Sequence, residues 1–494
     1  MNAKQLCRFR SKVNAFCVLA LVFALCQLPF GVSPVSASSR PLARAVAANK
    51  APLSPAVCPA SIGFGETIQC SILSAGEIDI YTFTANAGDK VLVRMSKPSG
   101  GALVLGTRIY SSGGTKLCEA YNSVPAEIAS CTLPSAGTYS IQAMDMLGTH
   151  TGNYYLYLQR LNNPGSTVPI AFGQTLMGSM ISPAQMDTYT FTANAGDKVL
   201  VRMSKFLEED IVLETRVYSP DGTKLCQAYN AVPAEIASCT LPSAGTYTIL
   251  ATDLLGNRLG DYSLYLQRLN NPGSPAPIAF GQALVGAMIS PAQMDTYTFT
   301  ANAGDKVLVR MNKPSGGSLV LETRVYGPDG VKLCEAYNAV PAEIASCTLP
   351  SAGTYTILAT DLLGNRLGDY YLYLQRLNNP GNAVPIGRGQ ALTGSISTAA
   401  EMDTYIFTAS AGDMVLVKVS KLSGSLWMGV RLYGPDGTQL CEASSSSTAT
   451  IPGCSMPSNG SYTILVFDSL SGTYTGDYRL YLDCCGVYLP LVTK

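Results

Sequence analysis

Asp187–Met203 reads DTYTFTANAGDKVLVRM, and the same seventeen residues return unchanged at Asp295–Met311. With Ile80 in place of a threonine they stand at Asp79–Met95, and a more diverged version runs from Asp403 to Val419. The tyrosines Tyr81, Tyr189, Tyr297 and Tyr405 are therefore spaced 108 residues apart. Within the stretch, Tyr189, Phe191 and Ala193 alternate with threonines, the period of two expected of a half-buried strand. Asn194-Ala195-Gly196-Asp197 supplies turn residues that tolerate positive φ. Lys198–Met203 then resumes as a strand with Val199, Val201 and Met203 inward.

Working outward from this hairpin, Gln174–Ile181 predicts a strand that Pro183-Ala184 ends. Glu214–Tyr218 predicts another, closed by Ser219-Pro220-Asp221-Gly222, a strong turn signal. Lys224–Ala228, Ile236–Leu241, Gly245–Asp253 and Asp261–Leu269 complete the unit, the last with Tyr262, Leu264 and Leu266 inward. About eight short strands at regular spacing, with no helical period, predict an all-β fold. The expected architecture is four tandem antiparallel β-sandwich domains of jelly-roll type, each of about 108 residues. They span 53–163, 164–271, 272–379 and 380–483. Leu161, Leu269 and Leu377 each begin a Leu-Asn-Asn-Pro-Gly linker, short and partly stiff, which predicts an elongated row of beads.

The ends read differently. Lys4, Arg8, Arg10 and Lys12 precede an apolar run from Ala15 to Phe30, and Val35-Ser36-Ala37 is a small-residue cleavage site. Residues 1–37 thus read as a secretory signal peptide; the apolar run is shorter than the ~20 residues of a membrane-spanning helix. Residues 38–52 form a flexible leader and 484–494 a short tail. The whole chain holds 33 basic and 33 acidic residues; removing residues 1–37 takes away four basic and no acidic ones, leaving 29 against 33, a net −4. A mildly acidic chain of mixed charge has no electrostatic reason to bind nucleic acid. No later segment is apolar enough to span a bilayer, so the mature chain is expected in the extracellular space or at the cell surface.

Cysteine usage agrees with export. Of fifteen cysteines, three leave with the signal, and eight of the remaining twelve recur with the repeat. They are Cys118 and Cys131, Cys226 and Cys239, Cys334 and Cys347, and Cys441 and Cys454, every pair 13 positions apart. In a secreted chain this predicts one disulfide per domain. Two thiols without a nearby histidine do not fill a tetrahedral zinc site. Cys58 and Cys70 occur only in the first repeat, where Gly178, Gly286 and Gly394 replace Cys70 in later copies. They pair with each other, or cross-pair with Cys484 and Cys485 at the far end; adjacent cysteines such as those last two seldom bridge each other without strain.

One resemblance covers nearly all of each repeat. The order Asp-x-Tyr-x-Phe-x-Ala-x-Ala-Gly-Asp from Asp187, Pro-Asp-Gly around Asp221, Ala-Gly-Thr-Tyr from Ala244 and Gly-Asp-Tyr-x-Leu from Gly260 is similar to the bacterial pre-peptidase C-terminal domain. The resemblance implies a jelly-roll sandwich of the kind found beside secreted peptidases and in collagen-binding modules. It leaves a separately encoded secreted peptidase open as a partner, since these repeats carry no peptidase domain of their own.

Catalytic inventory is thin. The sole histidine, His150, allows a Ser-His or Cys-His pair at most once, and Arg258 and Arg366 replace it in later copies. No catalytic residues are expected. For metals, Asp187, Asp197 and Asp221 offer oxygen ligands, and Glu208, Glu209 and Asp210 form an acidic loop tip unique to the second repeat. No cofactor is expected, and calcium is left open at these carboxylates. The candidate ligand-binding residues are tyrosines on outward strand positions, Tyr157, Tyr265, Tyr373 and Tyr481, and those between paired cysteines, Tyr121, Tyr229 and Tyr337. Aromatic rings there can stack on sugars or pack on proteins. The functional expectation is a secreted, non-catalytic repeat protein that binds extracellular polysaccharide or protein in adhesion. The alternatives are a structural spacer or envelope component, or an accessory or inhibitor of a secreted peptidase.

Overall fold

The computed structural model describes residue 58 and residues 60–484. The signal peptide, the leader, Cys485 and the rest of the tail lie outside the described residues. Among the described residues every regular element is a strand, and eight sheets of four or five strands pair into repeated sandwich-like units about 108 residues long. No helix there is long and apolar enough to cross a membrane.

In the first unit the strands are β1 (Glu66–Ile72), β2 (Ile78–Ala85), β3 (Lys90–Ser96), β4 (Leu105–Tyr110), β5 (Lys116–Tyr121), β6 (Ala126–Thr132), β7 (Gly137–Asp145) and β8 (Gly152–Arg160). One sheet runs β1-β8-β3-β6 and the other β2-β7-β4-β5, with all neighbours antiparallel. The second unit adds one element to this plan. Its strands are β9 (Thr167–Pro169), β10 (Gln174–Met180), β11 (Met186–Ala193), β12 (Lys198–Lys205), β13 (Leu213–Tyr218), β14 (Lys224–Tyr229), β15 (Ala234–Thr240), β16 (Gly245–Asp253) and β17 (Gly260–Arg268). The sheets are β10-β17-β12-β15 and β14-β13-β16-β11-β9. Eight of these strands fall where the alternation of the sequence puts them. The ninth was not legible: β9 grows out of the linker and pairs in parallel with β11 along the edge of the sheet.

The alternation sorts the core. Tyr189, Phe191, Val199, Val201, Met203, Leu264 and Leu266 meet between the two sheets. Phe191 stacks on Tyr247 with ring centroids 5.5 Å apart and takes the edge of Phe172. A polar chain crosses this core. Tyr189 and Tyr262, one from each sheet, share a hydrogen bond of 2.8 Å, and the Tyr262 hydroxyl donates to Asp187 at 2.7 Å. The same Tyr-Tyr-Asp relay recurs as Tyr297, Tyr370 and Asp295 and as Tyr405, Tyr478 and Asp403. Buried hydroxyls need such partners, because an unpaired one costs about 1–3 kcal/mol. Gly178 makes room for the relay, since a Cβ there would stand 2.3 Å from the Tyr262 ring.

Five disulfides close the units: Cys58–Cys70, Cys118–Cys131, Cys226–Cys239, Cys334–Cys347 and Cys441–Cys454. Cys58 and Cys70 pair with each other, so the cross-pairing with the far end is set aside. Cys226 lies on β14 and Cys239 on β15, the edge strands of opposite sheets, so the bond staples the open side of the sandwich.

Candidate functional site

Outward strand positions in this chain are not free surface. Leu200, Arg202 and Ser204 alternate with the inward residues of β12, yet all three are buried. What covers them is the next unit. Leu200, Tyr265 and Leu269 form one cluster with Ala292, Met294, Tyr326 and Leu358. Leu92, Tyr157 and Leu161 do the same with Ala184, Met186, Tyr218 and Leu250. Fully burying a large apolar side chain is worth about 1.5–3 kcal/mol, so successive units are joined by small cores of their own. The row of beads on stiff linkers is corrected accordingly: the linker is short, and the sandwich faces on either side of it are in contact.

Charge is buried at these junctions too. Arg94 donates to Thr252 Oγ1 at 2.8 Å and to the Asp253 carbonyl at 2.5 Å, both in the following unit. Glu127 stands 3.7 Å from Arg94 and receives Arg216 of the following unit at 2.5 Å, while Arg216 also pairs with Glu214 at 2.8 Å. Arg202, Glu235, Arg324 and Glu322 repeat the ladder one unit later. At the next junction Glu343 still joins Arg310 and Arg431, but Gly429 stands where a glutamate was, and the Phe467 ring lies under both guanidinium groups. Burial pulls the Arg94 guanidinium below its ordinary value, opposed by Glu127. Burial works to raise Glu127, but Arg216 and Arg94 together hold its carboxyl below the usual range.

The acceptor carbonyls are held by a buried aspartate. Asp253 Oδ1 takes the Val212 amide, and Oδ2 takes the amides of Asn257 and Arg258, which shapes the loop after β16. Gly256 in that loop has φ of +69°, and a Cβ there would come within 3.0 Å of Pro125 and closer still to Arg94 of the preceding unit. Glutamine completes the joint. Gln159 is buried, donates to Thr188 Oγ1 at 2.8 Å and to the Gly165 carbonyl at 2.9 Å, and so ties linker to neighbour.

Against this frame the expected ligand-binding tyrosines divide. Tyr157, Tyr265 and Tyr373 are buried in the junctions, where the Tyr265 hydroxyl shares a hydrogen bond with Thr296 at 3.1 Å. Their assignment to ligand is corrected, because the face they present is covered by the following unit. Tyr481 is half-buried and donates to Asp483 at 2.5 Å. Tyr121, Tyr229 and Tyr337 are 50%, 52% and 55% exposed, enough to leave a ring face in water. Each ends the edge strand that bears the first cysteine of a disulfide. Each is followed by a left-handed asparagine (Asn122, Asn230 or Asn338) and then an exposed valine before a cis proline. Beside the first of these loops lies a cleft of about 430 Å3, lined by Val124 and Ser99 of one unit and Asp210, Leu255, Asn257, Arg258 and Leu259 of the next.

The expected carboxylate ligands have protein partners. Asp187 accepts from Tyr262 and Gln185, Asp197 from the Asn194 amide and Arg268, and Asp221 from Thr223 and from Lys90 of the preceding unit. In the acidic loop, Asp210 pairs with Arg258. Among the described residues, the one grouping of three ligand-type atoms is Cys58, Cys70 and Asp79, and its sulfurs are joined in a disulfide. His150 sits on the loop after β7, where its amide donates to Asp145 at 3.0 Å.

The buried arginines and glutamines were missed from sequence. The signal that could have found them is Leu200, Leu250 and Tyr265: large apolar side chains at outward strand positions, repeated, imply a face that is covered.

No protein-family model and no curated protein matches the chain. Solved structures do. The chain resembles a pre-peptidase C-terminal domain. The match is to that domain of a collagenase from Bacillus anthracis, at 19% identity over 22% of this chain and 99% of that one, with a TM-score of 0.19. PliG of Aeromonas hydrophila, a periplasmic inhibitor of g-type lysozyme, is similar at 18% identity over 21% of this chain and 96% of its own, with a TM-score of 0.18. The CUB1-EGF-CUB2 domains of human MASP-1/3 align at 13% identity over 40% of this chain and 99% of theirs, with a TM-score of 0.13.

Proposed function

We propose that the chain is a secreted, non-catalytic scaffold of four tandem jelly-roll units that binds an extracellular polysaccharide or protein through its repeated tyrosine loops. The observation that carries this reading is the recurrence of a half-exposed tyrosine, Tyr121, Tyr229 and Tyr337, at the same strand end in successive units. A large ring with one face in water and its strand stapled by a disulfide loses little freedom on binding, the property that makes tyrosine a frequent binding anchor. Three such loops, held by the buried junctions, would act together on a polymeric ligand and gain avidity. The strand orders β1-β8-β3-β6 and β2-β7-β4-β5 support the jelly-roll description. Export is supported by the signal-peptide pattern of residues 1–37 and by the five disulfides.

The test is retention of the mature full chain on insoluble polysaccharides, collagen and bacterial envelope, with and without calcium. Retention on one material that is lost in Y121A/Y229A/Y337A supports the reading. Retention unchanged by the triple substitution, or none on any material, sinks it. A calcium requirement would add a metal at the carboxylates. A second reading, a structural spacer, is favoured by the buried charge and apolar contact at each junction; absence of any ligand would leave it standing.

A further inference from the structure

Each inner junction is heterologous: one unit contributes the outward face of β3 and β8 or their equivalents, and the next contributes the outward face of β2, β7 and β4 or theirs. A repeat joined this way can in principle extend without end, because an interface that does not close on itself propagates. Whether two copies of this chain can be joined so depends on the corresponding faces of the first and last described units.

The register of the strands identifies their residues. On the last described unit, Lys418 occupies the place of Arg94, Arg202 and Arg310, and lies opposite Thr450 where those arginines face Glu127, Glu235 and Glu343. Asp483 occupies the place of Gln159, Gln267 and Gln375. On the first unit, Ile80 occupies the place of Thr188, Thr296 and Thr404, the hydroxyls that receive those glutamines. Gln142 stands opposite Arg108 where Leu250, Leu358 and Leu465 stand opposite the later arginines. Lys418, Thr450 and Ile80 are exposed.

We infer that these outer faces are closed to a further copy of the chain, so that copies do not join head to tail. Stacking two chains end to end would meet three mismatches at once. Arg108, paired in its own unit with Glu119, would face the cation of Lys418 and the hydroxyl of Thr450 where every inner arginine receives a carboxylate from the preceding unit. Asp483, whose carboxylate already takes the Tyr481 hydroxyl, would be pressed against Ile80, where the inner glutamines meet a threonine hydroxyl. Gln142 would take the place of a leucine in the small apolar core. Taking these charges out of water against an apolar side chain or a like charge is unfavourable, because the facing unit supplies no opposite charge to offset the desolvation.

The experiment is sedimentation velocity on the mature full chain. Wild type is expected to sediment as a single chain. One variant, I80T/Q142L, restores the front face, and a second, K418R/T450E/D483Q, restores the back. Each alone is expected to remain a single chain, while an equimolar mixture gains a species of twice the mass. End-joined oligomers in wild type would overturn the inference, as would failure of the mixture to associate while both variants keep the wild-type unfolding midpoint. A converse variant covers the case of misfolding. R202K/E235T/Q267D carries into an inner junction the residues with which the last unit already folds. It is expected to raise amide exchange at least tenfold in the loop at 361–366, and unchanged protection there would overturn the inference.

Discussion

Glu127 of the first unit binds Arg94 of its own unit and Arg216 of the next, at 3.7 and 2.5 Å. One carboxylate thus holds two guanidinium groups that the fold has removed from water. The equivalent Glu235 does the same for Arg202 and Arg324. Removing one member of such a group leaves buried charge without compensation, which costs about 3–5 kcal/mol. Glu235→Ala is therefore expected to loosen the junction, read as lost amide protection at 361–366. Glu235→Gln should recover part of it.

Gly364 tests how closely the units approach. Its φ is +68°, and a Cβ would stand 3.0 Å from both the Arg202 guanidinium and Pro233 of the preceding unit. Left-handed backbone and overpacking act together here, so Gly364→Ala should cost about 1–3 kcal/mol. Differential scanning calorimetry of the full chain should show this as a lowered transition.

Gly286 guards the polar relay inside a sandwich. A Cβ at this position would lie 2.2 Å from the Tyr370 ring. Gly286→Ala must displace that ring from its present position, at about 1–3 kcal/mol. Increased susceptibility to proteolysis within that unit would report it.

The relay also predicts a pH dependence. Burial raises the Asp403 carboxyl to about 6, against hydrogen bonding from Tyr478, which lowers it. With the folded value above the unfolded one, the folded state binds more protons between about pH 4 and pH 6, so stability falls as pH rises through that window. Asp79 and Asp295 are raised in the same direction by burial. Glu127 has the opposite sign: its contribution is present above the ordinary glutamate pKa and is lost as pH falls through its lowered folded value. Urea midpoints should therefore be higher in mild acid than at neutrality and fall in stronger acid. Asp403→Asn should flatten the neutral side; an unchanged profile would refute the assignment.

The disulfide at the sandwich edge closes a short loop around the exposed Tyr229. Replacing both cysteines, C226S/C239S, should cost about 3 kcal/mol in the chain-entropy picture. The loss should appear first as faster amide exchange in the loop at 229–234.

Much of the fold was legible because it rests on local periodicity. The alternation of Tyr189, Phe191 and Ala193, the turn at Asn194–Asp197 and the 13-residue cysteine spacing each act within one repeat, and each names its element correctly. The site was less legible. Tyr265 and Tyr229 look alike in sequence, as aromatic residues on strands away from the core, yet one is 1% and the other 52% exposed. The difference lies in a neighbouring unit that local alternation does not register.

Sequence alone determined the repeat, its length, its strands and its within-repeat cysteine pairs, because those follow from the pleat of a strand and the chemistry of turns. Tertiary structure decided which outward face is buried, what Arg94, Gln159 and Glu127 bind, and which tyrosines remain in water. Those outcomes depend on contacts between residues about 30–160 positions apart, such as Gln159 with Thr188, Arg216 with Glu127 and Arg94 with Asp253. A two-residue period records that a strand has two faces; only the assembled chain determines what lies against each.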